Sequence, residues 1–341
     1  METTAFQLVK NGNAEEAFQK NTIQLAEPEK DEVTIDVESF GLNYADVMAR
    51  RGLYRECPAL PTVIGYEVVG NVSAVGTPEN NFLIGKRVVA FTRFGGYSKK
   101  VNTKFEAAVE IDNMNGGKAL CLATQYVTAY YMSHYVTQVH NNENVLIHAA
   151  AGGVGTALIQ LLKSKNANII AKTGSDDKIA YLKSLGVDKI INYNKVDYVE
   201  EVKKLLDGAR LAVSFNPVAG SSFKKDFKLI GAGGRLIIFG GSERSGKKWG
   251  ILSTLNFLRK MGLIIPIGLM MRSKSIIGVN MLKIGDFRPE VMKLCLKEVV
   301  QLAKDNKIDP KVGATYTADN LAEAHNFLES GKSVGKVVVE W

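Results

Sequence analysis

The run His148-Ala149-Ala150-Ala151-Gly152-Gly153-Val154-Gly155 places eight residues, most with little or no side chain, between an apolar strand (Asn144 to His148) and a helix with apolar Ala157, Leu158, Leu161 and Leu162. Small residues let a backbone approach a bulky anion. A helix start adds unpaired N–H donors and the positive end of its dipole. Strand, tight turn and helix together form the first unit of a dinucleotide-binding fold, with Ala151, Gly152, Gly153, Val154 and Gly155 against a pyrophosphate. The first glycine of the usual G-x-G-x-x-G pattern is Ala150 here, so the context of the run carries the assignment.

The second strand of such a fold ends where an adenosine ribose lies. It reads Ala171-Lys172-Thr173-Gly174-Ser175-Asp176-Asp177-Lys178. No carboxylate stands at the strand tip to accept from a 2′-hydroxyl. Thr173, Gly174, Ser175 and Lys178, with Lys172, offer donors to a 2′-phosphate, and Tyr193 at the end of the next strand can stack or donate. This charge pattern favours NADPH. Asp176 and Asp177 stand at a helix start, where they suit capping and the dipole. His148, on a buried strand, suits a core histidine, and His134, His140 and His325 show no ligand spacing.

The surrounding text alternates strand and helix from Ile169 to Phe239, with a last strand at Ser275 to Val279. This is the pattern of a parallel sheet covered by helices. Before it, Val33 to Val37, Val68 to Val75 and Lys86 to Phe91 lie between glycine turns and predict a small barrel-like β domain. A helical stretch from Gly117 to Val139 links the two. Pro289 to Lys304 is a long helix, and Lys336 to Val339 a strand that rejoins the first domain. The 341 residues, 46% hydrophobic, suffice for two cores. A net charge of +8 rests on scattered lysines, which speaks for a solvated surface and against nucleic acid. Cys57, Cys121 and Cys295 are far apart and odd in number, as in a reduced cytosolic protein. With a polar N-terminus and no apolar span of membrane length, the expected location is cytoplasmic.

Four segments in order carry a resemblance: the Ala-Ala-Ala-Gly-Gly-Val-Gly loop, Gly41-Leu42-Asn43-Tyr44-Ala45-Asp46, Arg51-Gly52-Leu53-Tyr54 and Gly65-Tyr66-Glu67. The chain resembles the medium-chain dehydrogenase/reductase superfamily in its quinone oxidoreductase branch. Asn43 to Gly76 and Gly241 to Asn280 are most similar to synaptic vesicle amine transport protein homologues. The resemblance implies an α/β fold: a Rossmann-type doubly wound sheet over 123–280, plus a GroES-like β-rich catalytic domain over 1–122 and 281–341. Zinc members of the superfamily hold a catalytic metal with Cys, His and Cys. Asn43, Tyr66 and Thr124 stand at those places, Glu67 alone cannot hold a zinc, and four clustered cysteines for a structural zinc are lacking. The implied activity is NADPH-dependent hydride transfer to a quinone or an α,β-unsaturated carbonyl without zinc.

Such a reduction needs a donor to the acceptor's oxygen. Asn43 and Tyr54 are the candidates, with Tyr66 and Tyr44 behind them; a turn role for Asn43 and a packing role for Tyr54 stay open. Asp46 is expected to cap or orient its loop. By similarity, Asn43, Thr128, Asn216, Phe239, Gly240, Gly278, Val279 and Asn280 join the cofactor contacts. Lys332 and Lys336 could reach a 2′-phosphate or lie on the solvated surface. The extended segment 242–274 mixes Lys247, Lys248, Arg259, Lys260, Arg272 and Lys274 with Trp249, Leu252, Phe257, Ile265 and other apolar residues. It reads as a lid, as a basic amphipathic surface meeting anionic lipid, or as helices packed at a cleft or dimer interface. A homodimer is implied, pairing through the Ser275 to Val279 strand. The competing function is a non-catalytic nucleotide-binding or membrane-surface adaptor that keeps the fold.

Overall fold

Alternating apolar residues in the first third of the chain produce sheet with one face toward a core. The computed structural model, which describes residues 1–244 and 250–341, divides into two units. Unit 1 is Met1–Thr128 with Met281–Trp341, and unit 2 is Ala129–Asn280. The chain crosses at Thr128, past the 122–123 boundary read from sequence. The crossing lies within a helical run from Gly116 to Val136 that includes two wide-turn stretches, Leu122–Tyr126 and Tyr131–Val136. The Thr128 and Ser133 hydroxyls donate to carbonyls four residues back, a bond that bends helices.

Unit 1 begins with β1 (Glu2–Leu8), β2 (Phe18–Gln24), β3 (Glu32–Leu42), helix α1 (Tyr44–Arg50), β4 (Thr62–Val63), β5 (Glu67–Val75), β6 (Arg87–Phe91), β7 (Lys100–Lys104) and β8 (Ala108–Glu110). Unit 2 holds β9 (Asn144–Ile147), α2 (Gly153–Leu162), β10 (Asn168–Thr173), α3 (Ile179–Ser184), β11 (Lys189–Asn192), α4 (Tyr198–Leu206), β12 (Leu211–Asn216), α5 (Ser221–Leu229), β13 (Ile230–Ile238), α6 (Gly250–Met261), α7 (Pro266–Arg272) and β14 (Ser275–Gly278). The chain then returns to unit 1 with α8 (Pro289–Lys304), β15 (Val312–Thr317), α9 (Leu321–Glu329) and β16 (Lys336–Glu340).

In unit 1, β2-β1-β4 form one sheet and β15-β16-β3-β5-β6-β8 a second, with β7 also on β3. Ile35, Phe40, Leu42, Ile64, Val68, Tyr97 and Val337 are among its core residues. As the sequence predicted, β16 rejoins this unit, antiparallel to β3 with Val337 opposite Leu42 and Val338 opposite Gly41. The two parts of unit 1 are thereby stitched by backbone bonds.

In unit 2 the strands run β11-β10-β9-β12-β13-β14, every pair parallel. The order reverses at β9, the switch point at which a doubly wound sheet opens a crevice for a ligand. β12 is buried along its whole length, which explains its near-continuous apolar sequence. Among the described residues no helix is long and apolar enough to cross a membrane.

In the extended segment, Lys247, Lys248 and Trp249 lie outside the described residues. Phe257 of α6 faces α5, so close that a Cβ on Gly220 would lie 3.1 Å from its ring. That side fits the packing reading. In the chain that follows, Leu263 is 91% exposed, and Ile265, Ile267, Met270 and Met271 are also exposed, so none of them is packed within this chain.

Candidate functional site

Helix α2 starts at Gly153, with Gly152 as its N-cap and no side chain bonding the free N–H groups of its first turn. Ala149 takes a positive φ of 49° to make the turn, and the Gly152 N–H closes it on the Ala149 carbonyl at 2.9 Å. A Cβ on Gly155 would lie 2.6 Å from the Ala149 oxygen and from Ala150 Cα, so α2 sits directly on the end of β9. The result is a bare, electropositive cradle of backbone formed by Ala151, Gly152, Gly153, Val154 and Gly155.

Beside it, Thr173 ends β10 in a buried position, and Ser175 caps the following turn by accepting from the Asp177 N–H at 3.3 Å. Asp176 is engaged by Lys195 and by Asn192, whose amide donates at 2.7 Å. Ser175 rather than either aspartate is the cap, while Asp176 and Asp177 lie in the first turn, where they suit the dipole. A Cβ on Gly174 would meet the Tyr193 hydroxyl at 2.6 Å, so a larger residue there would push the Tyr193 ring aside. The structure brings Thr173, Gly174, Ser175, Lys178 and Tyr193 into one neighbourhood. Lys178 is half-buried, and desolvation lowers its ammonium pKa.

Lys172 departs from the expected role of phosphate donor. Its ammonium is buried, 3.2 Å from His148 Nδ1 and over the Tyr198 and Tyr193 rings at 3.8 and 4.8 Å. Burial pulls its pKa down to about 8, against the attraction of Asp226. His148 Nε2 lies 2.8 Å from Asp226 Oδ2, and Tyr198, Ser214 and Asn216 all donate to the same carboxylate at 2.7–2.9 Å. The core-histidine expectation for His148 holds, and it belongs to a polar network beneath the glycine turn.

Asn216 also departs from its expected ribose contact. Its Nδ2 donates to Ser222 and Asp226, and its Oδ1 accepts from the Val218 and Ala219 N–H groups at 2.8 and 2.9 Å. With the amide saturated and the residue fully buried, it holds the loop after β12 instead. Phe239 and Gly240 follow β13, and Gly278, Val279 and Asn280 follow or end β14. The Val279 N–H is tied to the Ile238 carbonyl at 2.9 Å, which sets these two loops side by side.

In unit 1, Asn43 precedes α1. Its N–H donates to Asp46 Oδ2 at 2.7 Å, which confirms Asp46 as an orienting residue. Burial pushes the Asp46 carboxyl up to about 8, opposed by that bond and by Lys336. Asn43 and Asp46 form a capping box at this helix start. The Asn43 Nδ2 donates to Glu67 Oε1 and its Oδ1 accepts from Lys336 Nζ, both at 2.8 Å. Lys336 also donates to Glu67 Oε1, and Glu67 Oε2 accepts from the Thr124 N–H at 2.6 Å. Neither a surface lysine nor a phosphate ligand, Lys336 is fully buried with Glu67. Lys332 stays exposed.

Tyr66 is buried, and its hydroxyl interacts with that of Tyr54. Tyr54 is half-buried, its ring edge-on to Tyr66 at 6.2 Å. Burial, with the charges of Glu56 and Asp46, raises the Tyr54 phenol to about 12; burial raises Tyr66 further. Both phenols are proton donors at neutral pH. Thr128 is buried, with its hydroxyl donating to the Thr124 carbonyl at 2.5 Å. These donors do not suit a zinc ion. Glu67 is already shared by an ammonium and two N–H groups, the Asp46 carboxyl is raised by burial toward its neutral form, and a dication would stand against Lys336.

Two family descriptions match the chain, an alcohol dehydrogenase GroES-like domain over residues 29–141 and a zinc-binding dehydrogenase over residues 153–297. The chain belongs to the medium-chain dehydrogenase/reductase superfamily. It is 29% identical over 310 residues to the synaptic vesicle membrane protein VAT-1 homolog of Danio rerio, covering 90% of this chain and 64% of that protein. The chain thus spans less than two thirds of this relative. Among solved structures, the Escherichia coli quinone oxidoreductase complexed with NADPH matches with a TM-score of 0.86 at 25% identity, covering 99% of this chain and 100% of that one. The human VAT-1 homolog-like protein matches at 0.85 and 26%, covering 100% and 98%. This superfamily member thus has the fold of an oxidoreductase, with a GroES-like unit and a parallel nucleotide-binding sheet.

Proposed function

We propose that the chain is a zinc-independent, NADPH-dependent reductase of quinones or α,β-unsaturated carbonyls. The observation that carries the chemistry is Lys336 within the Asn43–Glu67 group. An internal ammonium stands where a Lewis acid would need free anionic ligands, so the acceptor must already be electron-poor. NADPH, when bound, supplies the hydride. The backbone at Ala151, Gly152, Gly153, Val154 and Gly155 would hold its pyrophosphate; Thr173, Gly174, Ser175, Lys178 and Tyr193 its adenosine 2′-phosphate side. Asn43, Thr128 and the loops with Phe239, Gly240, Gly278, Val279 and Asn280 would hold its nicotinamide side.

Asn43, Tyr54 and Tyr66 then act as donors to the acceptor's oxygen, where negative charge develops. Both phenols stay protonated across neutral pH, with their pKa values raised by burial. The test is NADPH oxidation with a panel of benzoquinones, naphthoquinones and enones in the presence of a zinc chelator. Turnover of at least one acceptor, unaffected by chelation, is expected. Failure of the whole panel, with NADPH still bound, would instead support the adaptor role.

The cytoplasm is the compartment we assign, where the free thiols of Cys57, Cys121 and Cys295 would stay reduced. A second copy of the chain is the assigned partner, because β14 is an edge strand next to the exposed Leu263, Ile265, Met270 and Met271. Light scattering should give a dimer that Met271→Glu with Leu263→Glu dissociates. A monomeric wild type that sediments with anionic vesicles would overturn the dimer in favour of a lipid surface.

A further inference from the structure

We propose that Lys336 is a positioning residue that fixes which end of the Asn43 amide faces the acceptor; this rests on the role given to Asn43 above. An asparagine just before a helix ordinarily uses its side-chain oxygen to cap the first turn. At Asn43 that oxygen also accepts from Lys336 Nζ, while Asp46 closes the capping box by accepting from the Asn43 N–H. The amide thereby joins a group made of Lys336 and Glu67.

The two ends of that amide are chemically distinguished. An ammonium has only donors and a carboxylate only acceptors. A flipped amide would set its NH₂ against Lys336 and its carbonyl against Glu67, replacing two attractive contacts with two repulsive ones. Orientation is therefore specified by charge. Nδ2 carries two hydrogens, and one is held by Glu67 Oε1. The second is left as the single N–H that Asn43 can offer. Lys336 and Glu67 are completely buried, whereas Asn43 keeps 8% exposure.

The surrounding backbone is shaped for this group. A Cβ on Gly41 would lie 2.4 Å from Lys336 Cε and 2.5 Å from Glu67 Oε1, so the ion pair occupies the space a side chain on β3 would fill. Glu67 Oε2 is pinned by the Thr124 N–H. Removing one partner of a buried pair leaves an uncompensated charge, so single variants risk unfolding. The double variant Lys336→Met with Glu67→Gln removes both charges and nearly preserves volume, and no longer dictates the amide's orientation.

The experiment is a cycle of Asn43→Ala in the wild type and in that double variant, with kcat and KM for a quinone and NADPH affinity measured in each. Losing one donor to a developing oxyanion lowers kcat by about a hundredfold or more. Asn43→Ala should show that loss in the wild type and at most about threefold further loss in the double variant. Equal losses in both backgrounds overturn the proposal. A second measurement needs no turnover: selective ¹⁵N-asparagine spectra, with Asn43 assigned by its loss in Asn43→Ala. One Nδ2 proton should be shifted downfield by Glu67 and lose that shift in the double variant. An unshifted pair in the wild type overturns the positioning role. A shifted pair in a protein that reduces nothing instead overturns the reductase reading alone.

Discussion

Gly155→Ala tests the glycine turn and the nucleotide assignment together. The new Cβ would lie 2.6 Å from Ala149 O, Ala150 Cα and Ala150 O, all backbone atoms with no rotamer to relieve the clash. Ordinary contact begins near 3.4 Å, so α2 and the end of β9 must separate by about 0.8 Å. A phosphate bond of normal length stretched by that amount is no longer a hydrogen bond. Each charge-assisted bond lost costs about 1.5–3 kcal/mol, which is about a ten- to hundredfold weaker NADPH complex. Overpacking should also lower the melting temperature of the nucleotide-free protein. Fluorescence titration with NADPH and a thermal melt read the two effects. Gly285→Ala is the control, since a Cβ there has one neighbour, at 4.0 Å. An unchanged NADPH affinity in Gly155→Ala would refute both the tight turn and the assignment of pyrophosphate to it.

Lys178→Ala should weaken NADPH about tenfold or more while leaving NADH within twofold, because a lysine contact to a 2′-phosphate is charge-assisted; equal weakening of both would contradict the assignment. Asp46 has a folded pKa of about 8, raised from 3.8, so the fold favours its protonated form. The stability this gives is full below about pH 4 and is lost as pH rises toward 8. Urea unfolding should therefore show Asp46→Asn gaining on the wild type between pH 5 and 8, and a pH-independent difference would count against a buried, protonated carboxyl. Gly41→Ala should lower both the melting temperature and kcat by displacing Lys336, whereas an unaffected kcat would detach that ion pair from the reaction.

Local signals were the legible ones. Pro289–Lys304 appears as the helix read from the sequence, and the parallel sheet follows from alternating strands and helices. Asp46 as an orienting residue and His148 as a core residue were likewise readable from their neighbours. Lys336 was not, because its partner Glu67 lies 269 residues away in sequence and nothing near it marks it as buried. Lys172 stands at a strand tip that would suit a phosphate, yet its side chain turns under the sheet to Tyr198 and His148. Asn216 sits where a ribose contact was expected, and three nearby residues plus Asp226 consume its amide. Side-chain direction, set by tertiary packing, separates these three from the residues that were read correctly.

The pairing of β16 with β3 gives the chain an order of assembly. Every strand of the nucleotide-binding sheet lies within Ala129–Asn280, so that unit can close with its own contiguous chain. The Asn43 group cannot, because it awaits a lysine on a strand made almost three hundred residues later. Joining such distant segments carries the slow, entropically costly step of folding. A nascent or truncated chain that ends before residue 336 would thus hold a formed nucleotide turn with an unoriented Asn43. Competence to bind and competence to react would arrive at different moments in the life of the polypeptide.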